Sequence, residues 1–293
     1  MYYNIAVINY FQAIIFGLIQ GVTELFPISS LGHSVVLPKL FGWNIQQDDP
    51  FFLTFLVATH TATALVLFIF FWKDWKQIVL GLIRSLKERE IKSTDHYAKL
   101  GWLLIVGTVP AGILGILFQD PLKMLFASPK IVAFVLILNG LLLFSAERLR
   151  KKNLERNQIS VGSDTQIAKL TWLQSVKVGI MQSLALIPGF SRTGATITGS
   201  LLVGLGHEDA VRFAFLLATP IIAGASLLKL PELATTSESQ FLGQSLVGAL
   251  AAGIAAYFSV RFLTKYFETK KLTPFAVYCF IVGGLLSLKF LFS

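Results

Sequence analysis

Six apolar stretches, each long enough to cross a lipid bilayer, constrain the fold of this chain more than any other feature. A helix needs about 20 apolar residues to cross the hydrocarbon core, and these runs have that length without the alternation of a β-barrel strand. Only 14% of the residues are charged, against about 25% in soluble domains, and 54% are hydrophobic. The sequence therefore predicts an all-α polytopic membrane protein with spans at 51–72, 99–118, 130–147, 209–230, 241–260 and 274–292.

The loops that join the spans differ in charge, and this difference predicts their orientation. The basic loops are 73–99, 148–177 and 261–271, and the loops with few basic residues are 43–50, 119–129 and 231–240. Lysine and arginine are enriched in cytoplasmic loops, so we place the three basic loops in the cytoplasm. This topology accounts for the net charge of +9 without a nucleic-acid partner.

Two further apolar regions are interrupted by proline. They are 5–19 with 31–42, around Pro27, and 170–187 with 195–206, around Pro188. If the basic loops share one side, each region has to enter and leave the bilayer on the same side. We therefore predict two re-entrant helical hairpins, inserted from opposite faces, whose turns stop near mid-bilayer. Broken helices at that depth are tolerated where they are buried in protein or line a wet cavity.

A weak internal repeat relates the two hairpins. Segment 17–33 aligns with 179–195, and "FLVAT" at 55–59 aligns with "FLLAT" at 215–219. Each half then reads hairpin, span, span, and the topology makes the halves inverted, as in many transport folds. We predict a single membrane domain over 1–293, with halves at about 1–118 and about 170–260, a linking helix at 130–147 and a final helix at 274–292.

Both turns carry polar side chains at a depth where ionisable groups are costly and mark functional sites. The first turn contains Glu24, Ser29, Ser30 and His33, and the second contains Ser191, Arg192, Thr193 and Thr196. Arg192 is a permanently charged donor suited to phosphate, and Gly189 and Gly194 would let the backbone approach a ligand closely. His33 could act as nucleophile or proton donor. Glu24 could orient that histidine, act as a base or hold a divalent cation, so the turns fit phosphoryl transfer on a lipid phosphate.

Structural interpretations exist beside these. The arginine alone could clamp the glutamate across two helices, and serine and threonine in membrane helices usually bond backbone or neighbouring helices. His60 lies on a span and is interpreted as structural, whereas His96 and His207 lie in or beside cytoplasmic loops. Cys279 is the single cysteine, so no intramolecular disulfide can form.

The polar residues lie in two signatures that resemble the undecaprenyl-diphosphatase family of bacterial membrane enzymes, and the resemblance covers nearly the whole chain. One signature, (E/Q)xxxE followed by PxSSxxH, is present as Gln20 to Glu24 and then "PISSLGH"; the other, PGxSRSxxT, is present as "PGFSRTGAT". The resemblance implies that Glu24, His33 and Arg192 are catalytic, with Ser30 and Ser191 as supporting or alternative nucleophile positions. The candidate phosphate-binding residues are Gln20, Ser29, Gly189, Ser191, Arg192, Thr193 and Thr196.

The resemblance also implies a divalent cation, Mg²⁺ or Ca²⁺, for which Glu24 is the candidate ligand. It implies a polyprenyl diphosphate substrate in the bilayer and a pocket open to the periplasmic side of the bacterial plasma (inner) membrane. A homodimer is a candidate assembly. The chain departs from the family pattern at Gln20, where many members have Glu, at Leu31, where Thr is common, and at Thr193, where a second Ser is usual. The change at Gln20 weakens a metal site there.

We therefore predict a phosphatase that removes the terminal phosphate of undecaprenyl diphosphate and so recycles the lipid carrier of cell-wall synthesis. Either His33 or Ser30 attacks; the sequence does not choose, and we favour His33. The alternative is a transporter or flippase for a phosphorylated lipid, since inverted repeats are common there. The other lipid-phosphatase class, with KxxxxxxRP, PSGH and SRxxxxxHxxxD motifs, is excluded because neither its spaced His nor its Asp follows Arg192.

Overall fold

The structure is a computed structural model that describes residues 8–45, 49–118, 122, 128–154, 164–229, 231 and 241–292. Parts of the predicted segment 5–19 and of the loops 43–50, 119–129, 148–177 and 231–240 lie outside these residues. The described residues form helices and no strand. The helices are α1 Tyr10–Thr23, α2 Ser30–Phe41, α3 Pro50–Phe70, α4 Trp72–Glu88, α5 His96–Leu117, α6 Pro129–Leu154, α7 Asp164–Ala168, α8 Trp172–Ser183, α9 Arg192–Leu202, α10 His207–Lys229, α11 Leu242–Tyr266 and α12 Thr273–Leu291.

Six of these helices, α3, α5, α6, α10, α11 and α12, are long and apolar enough to cross a bilayer. Their apolar segments contain 19–25 residues, with a mean hydropathy between 1.8 and 2.1. The six predicted spans are therefore confirmed, and the chain is a multi-pass membrane protein. Helix α10 lies in the core, where Phe213, Phe215 and Leu216 are fully buried between α3, α5 and α9.

Helix α4 lies within the loop that the sequence analysis placed at 73–99. It is amphipathic: Ile78 and Ser85 are buried, and the Ser85 hydroxyl accepts a 3.0 Å hydrogen bond from the Trp102 indole of α5. Its other side exposes Leu80 and Ile83 together with basic residues. Its polar content hides it from a search for long apolar runs, although the 3.6-residue periodicity is present.

Two pairs of shorter helices, α1 with α2 and α8 with α9, correspond to the predicted hairpins. In the second pair a 3₁₀ turn at Leu184–Leu186 follows α8, and the chain then reverses before α9. The turns of the two pairs contact each other, since the Ser191 hydroxyl donates to the Phe26 carbonyl at 3.4 Å. The re-entrant course of each pair through a bilayer stays a prediction.

The two hairpins pack on long helices in a similar way. Helix α1 lies on α11 and helix α8 lies on α5. A Cβ atom at Gly17 would lie 2.2 Å from the Gly248 carbonyl oxygen, and one at Gly179 would lie 2.2 Å from that of Gly107. Only glycine permits such an approach, and small residues at interfaces are how membrane helices come close. Gly17 and Gly179 are aligned in the proposed repeat, whose inversion stays a prediction.

Candidate phosphoryl-transfer site

Glu24 is the centre of the polar cluster. It follows the last turn of α1 and is buried, with 5% of its surface exposed. Its Oε2 atom accepts hydrogen bonds from Gln20 Nε2 at 3.1 Å and from the Ser30 hydroxyl at 2.5 Å. Gln20 and Glu24 are four residues apart, so they share one face of α1. Ser30 reaches the same oxygen from the first residue of α2.

The second hairpin meets this carboxylate through α9. Arg192 Nη1 lies 3.5 Å from Glu24 Oε1, and the Thr193 hydroxyl donates to the Glu24 backbone carbonyl at 2.8 Å. The structure thus brings Glu24, Ser30 and Arg192 together, as expected from the sequence. A buried carboxylate is stable only when paired and hydrogen-bonded, and both conditions are met here.

His60 belongs to the same cluster, although the sequence analysis interpreted it as structural. Its Nε2 atom lies 3.1 Å from Glu24 Oε2, its Nδ1 atom lies 2.7 Å from the Leu56 carbonyl oxygen, and only 7% of its surface is exposed. No local motif marks it, because it stands alone in the apolar run of α3. The usable signal was its position well inside a membrane span, where an ionisable residue is costly and points to function.

His33 makes different contacts. Its Nδ1 atom lies 2.6 Å from the Ser29 carbonyl oxygen, and its Nε2 atom lies 2.8 Å from the Tyr278 hydroxyl of α12. Since a carbonyl can only accept, Nδ1 donates and Nε2 accepts from the tyrosine in a neutral imidazole. The hydrogen bonds that the structure gives to His33 therefore connect it with α12 and not with Glu24 or Arg192.

Ser29 and Ser191 cap the two helices that begin at the turns. The Ser29 hydroxyl accepts from Gly32 N and the Ser191 hydroxyl accepts from Gly194 N, both at 3.1 Å. These two pairs of residues are aligned in the repeat, and serine is a preferred N-cap. Ser29 has a φ of 70°, a left-handed conformation that is strained for a residue with a side chain. Both hydroxyls, predicted to contact phosphate, are thus engaged within the protein.

The remaining predicted phosphate-binding residues also contact protein. Gly189 has a φ of 110°, and a Cβ atom there would lie 2.7 Å from Val135 Cβ of α6, so its glycine is required by packing. A Cβ atom at Gly194 would lie 3.2 Å from Pro27 Cβ of the other turn. The Thr196 hydroxyl donates to the Arg192 carbonyl one turn earlier, at 2.8 Å.

Asn139 of α6 holds both turns and was missed by the sequence analysis. Its Nδ2 atom donates to the Pro27 carbonyl at 3.0 Å, and its Oδ1 atom accepts from Ser191 N at 3.0 Å. The same amide lies 3.3 Å from the sulfur of Cys279, and both Asn139 and Cys279 are fully buried. The signal in the sequence was a single asparagine within the apolar run 130–147.

A cavity of about 270 Å³ opens beside this cluster. The charged or polar lining comes from His60, Arg192, Ser226 and Lys229, and apolar side chains such as Leu53 and Ile222 form most of the rest. Arg192 Nη1 is buried and has no hydrogen-bond acceptor in the described part of the chain. A polar end with a cationic donor and an apolar wall suits an amphiphile with an anionic head group.

Glu24 alone does not form a complete protein ligand set for a divalent cation. Ca²⁺ takes about six to eight oxygen ligands, and Mg²⁺ is usually held by about one or two carboxylates together with waters and substrate phosphates. Here the Glu24 carboxylate contacts N–H and O–H donors from Gln20, Ser30, His60 and Arg192, and the buried Gln20 Oε1 atom has no hydrogen-bond partner among the described residues. Among the described residues no group of three or more His, Cys, Asp and Glu side chains converges.

Comparison with known proteins gives a consistent result over most of the chain. The family model described as "Bacitracin resistance protein BacA" matches residues 13–285. The chain is 42% identical to an "Undecaprenyl-diphosphatase" of Mycolicibacterium paratuberculosis, over 94% of this chain and 96% of the relative. It is also 42% identical to an "Undecaprenyl-diphosphatase" of Acidiphilium cryptum, over 93% and 95%, and 39% identical to an "Undecaprenyl-diphosphatase 2" of Oenococcus oeni, over 96% and 99%.

Proposed function

Since this chain belongs to the bacitracin resistance protein BacA family, we propose that the cluster around Glu24 and Arg192 is where it hydrolyses undecaprenyl diphosphate. The protein is an undecaprenyl-diphosphate phosphatase, which releases undecaprenyl phosphate and inorganic phosphate. Its substrate is a lipid diphosphate, and it works in a membrane.

One observation supports the location of the catalytic site. The Arg192 side chain lines the cavity beside an ionisable cluster, and its Nη1 atom makes no hydrogen bond in the described part of the chain, although it lies 3.5 Å from Glu24 Oε1. A phosphate oxygen is the acceptor that fits such a nitrogen, because arginine–phosphate hydrogen bonds are charge-assisted and short. The apolar wall of the same cavity would receive the first isoprene units of the lipid.

The geometry favours Ser30 over His33 as the nucleophile. Ser30 already donates its hydroxyl hydrogen to Glu24, the arrangement that activates a hydroxyl nucleophile. In the step that we propose, Ser30 Oγ bonds to the terminal phosphorus, and the bond from that phosphorus to the bridging oxygen breaks. The hydroxyl proton passes to Glu24, which gives it to the departing undecaprenyl phosphate. Water then attacks the phosphoserine and Glu24 accepts a proton from that water. The bond from Ser30 Oγ to phosphorus breaks, inorganic phosphate leaves, and Glu24 returns the proton to Ser30 Oγ.

His33 stays the alternative nucleophile, and one labelling experiment separates the two. The protein is mixed with substrate that carries a labelled terminal phosphate, and half of each sample is quenched in acid and half in alkali. Phosphoserine survives acid, whereas phosphohistidine survives alkali. We expect an acid-stable label that is absent from Ser30→Ala; an alkali-stable label that is absent from His33→Ala would assign the attack to His33 instead.

The activity test measures phosphate release from C55 diphosphate by the purified protein in detergent, where no gradient exists for a transporter or flippase to dissipate. Removing a cationic donor to a phosphoryl transition state costs roughly 10³-fold in rate, and we expect that loss in Arg192→Ala. Glu24→Gln should lose a comparable factor. Arg261→Ala, at an exposed position of α11, is the matched control. Wild-type rates in Arg192→Ala and Glu24→Gln would refute the site.

The membrane placement extends the proposal. The basic loops lie in the cytoplasm, the cavity opens to the periplasmic side of the bacterial plasma (inner) membrane, and the substrate enters from that leaflet. A homodimer is the candidate assembly, and the proposal includes no nucleic-acid partner. The positive-inside distribution of lysine and arginine supports the orientation.

A further inference from the structure

Helices α3 and α10 line the cavity beside the cluster with the same residue spacing. The lining residues that they contribute are Leu53, Leu56, Val57 and His60 of α3 and Ile222, Ala225, Ser226 and Lys229 of α10. In both sets the residues follow the spacing i, i+3, i+4 and i+7, which places them on one face of a helix. The face that α10 presents to the cavity therefore ends in a lysine.

The contacts between α1, α3 and α10 relate this lysine to the ionisable cluster. His60 Nε2 lies 3.1 Å from Glu24 Oε2, and the hydroxyl of the next residue, Thr61, lies 2.7 Å from the Ser226 hydroxyl. Lys229 follows Ser226 by three residues, which is a rise of about 4.5 Å along α10. Lys229 therefore lies about one helical turn from the level of the cluster and lines the same cavity.

The charge of the cavity lining suits a head group with two linked phosphoryl groups. Arg192 and Lys229 are the basic side chains of this lining, and none of the described residues that line the cavity is Asp or Glu. A lining of one sign between low-dielectric walls attracts ligands of the opposite charge. Arginine binds phosphate with a planar fork, whereas lysine binds it as a point charge on a flexible stem.

We propose that Lys229 is a substrate-binding residue that contacts the phosphoryl group which stays on the lipid. The inference rests on the proposed function of the site, in which Ser30 and Arg192 act on the terminal phosphoryl group. The other phosphoryl group lies between the terminal one and the isoprene chain, and Lys229 shares its face of α10 with Ile222 of the apolar wall. A contact with that group is present in the substrate, in the transition state and in the lipid product, so it lowers KM and leaves kcat nearly unchanged.

The test measures phosphate release from C55 diphosphate in mixed micelles by the wild type, Lys229→Met and Lys229→Arg, with KM expressed as the mole fraction of lipid. Lys229→Met should raise KM roughly five- to thirtyfold, the factor of a hydrogen bond to a charged group in a partly hydrated cavity, while kcat changes by less than about threefold. Lys229→Arg keeps the positive charge and should hold KM within about threefold of the wild type.

Inhibition by the two products identifies which phosphoryl group Lys229 contacts. In Lys229→Met the inhibition constant of undecaprenyl phosphate should rise by about the same factor as KM, because this product keeps the contacted group. The inhibition constant of inorganic phosphate, which derives from the terminal group, should change by less than about twofold, since the two contacts are independent.

Lys130→Met is the matched control. Lys130 is exposed at the start of α6 and does not line the cavity, and the sequence predicts it on the same side of the membrane as Lys229. Removing its charge should leave KM within about twofold of the wild type, because salt screens exposed charges outside the site.

The results separate this contact from the function on which it rests. Wild-type KM in Lys229→Met, or a loss confined to kcat, overturns the inference and leaves the phosphatase function standing. An equal rise in the inhibition constants of both products overturns it as well, since Lys229 would then not distinguish the two phosphoryl groups. Lys229→Gln takes the place of Lys229→Met if that variant does not fold. A wild type that releases no phosphate overturns the proposed function and the inference with it.

Discussion

Replacing Asn139 by leucine would remove both hydrogen bonds that tie the two turns to helix α6. The side chain is fully buried and bonds Pro27 O and Ser191 N, each at 3.0 Å. Leucine has a similar branched shape but is larger, so no cavity is left and any overpacking at this buried position adds to the loss. Each stranded buried backbone group costs about 1–3 kcal/mol, and we expect a loss of about 2–4 kcal/mol in the free energy of unfolding for the two together.

The assay is unfolding in mixed micelles, followed by tryptophan fluorescence and extrapolated to zero denaturant, with phosphate release measured on the same samples. Activity should fall by at least about tenfold, because Glu24 and Arg192 lie on separate turns and a misplacement of 1 Å can cost that much. Cys279→Ala removes only the longer 3.3 Å contact to the same amide and should cost about 1 kcal/mol or less. An Asn139→Leu protein with wild-type unfolding free energy and wild-type rate would refute the role of Asn139.

Two further predictions concern helix packing and acid stability. Gly17→Ala and Gly179→Ala should each lower the free energy of unfolding by about 1–3 kcal/mol, because the added Cβ atom would lie 2.2 Å from a carbonyl oxygen of the facing helix. Gly284→Ala is the control and should not lower it, since no atom lies within 4 Å of a Cβ atom there. The Arg84 side chain donates a 2.9 Å hydrogen bond to Asp95 and lowers the pKa of that carboxyl from its ordinary value of 3.8. The stability that the ionised Asp95 contributes is therefore fully present above pH 3.8 and is lost as the pH falls through the lowered pKa. The difference in unfolding free energy between the wild type and Asp95→Asn should therefore shrink below about pH 4, and a difference that does not change with pH would contradict this account.

The spans could be predicted from the sequence because crossing a bilayer imposes a length and a composition that few other structures share. Glu24, Ser30 and Arg192 could be assigned to one site because they lie in the turns of the two interrupted apolar regions, which were predicted to meet. Helix α4 was not predicted in this way, because it contains many polar residues and only the 3.6-residue periodicity of its apolar residues indicates a helix.

His60 and Asn139 were not identified as members of the site for a related reason. Each is one polar residue in an otherwise apolar helix, and what gives it a role is a partner far along the chain, Glu24 for one and the two turns for the other. A single sequence does not show which helices are neighbours. The capping roles of Ser29 and Ser191 could have been predicted from the local sequence, because serine is a preferred residue immediately before the first turn of a helix.

The enclosed thiol of Cys279 makes this chain convenient for chemical mapping. It is the single cysteine of the sequence, and none of its surface is exposed. A membrane-impermeant maleimide should therefore spare the native protein, so that an introduced cysteine reports only its own location. Placed at Phe41 or at Leu202, the exposed ends of α2 and α9, such a reporter in sealed vesicles reads out directly from which side each hairpin is entered.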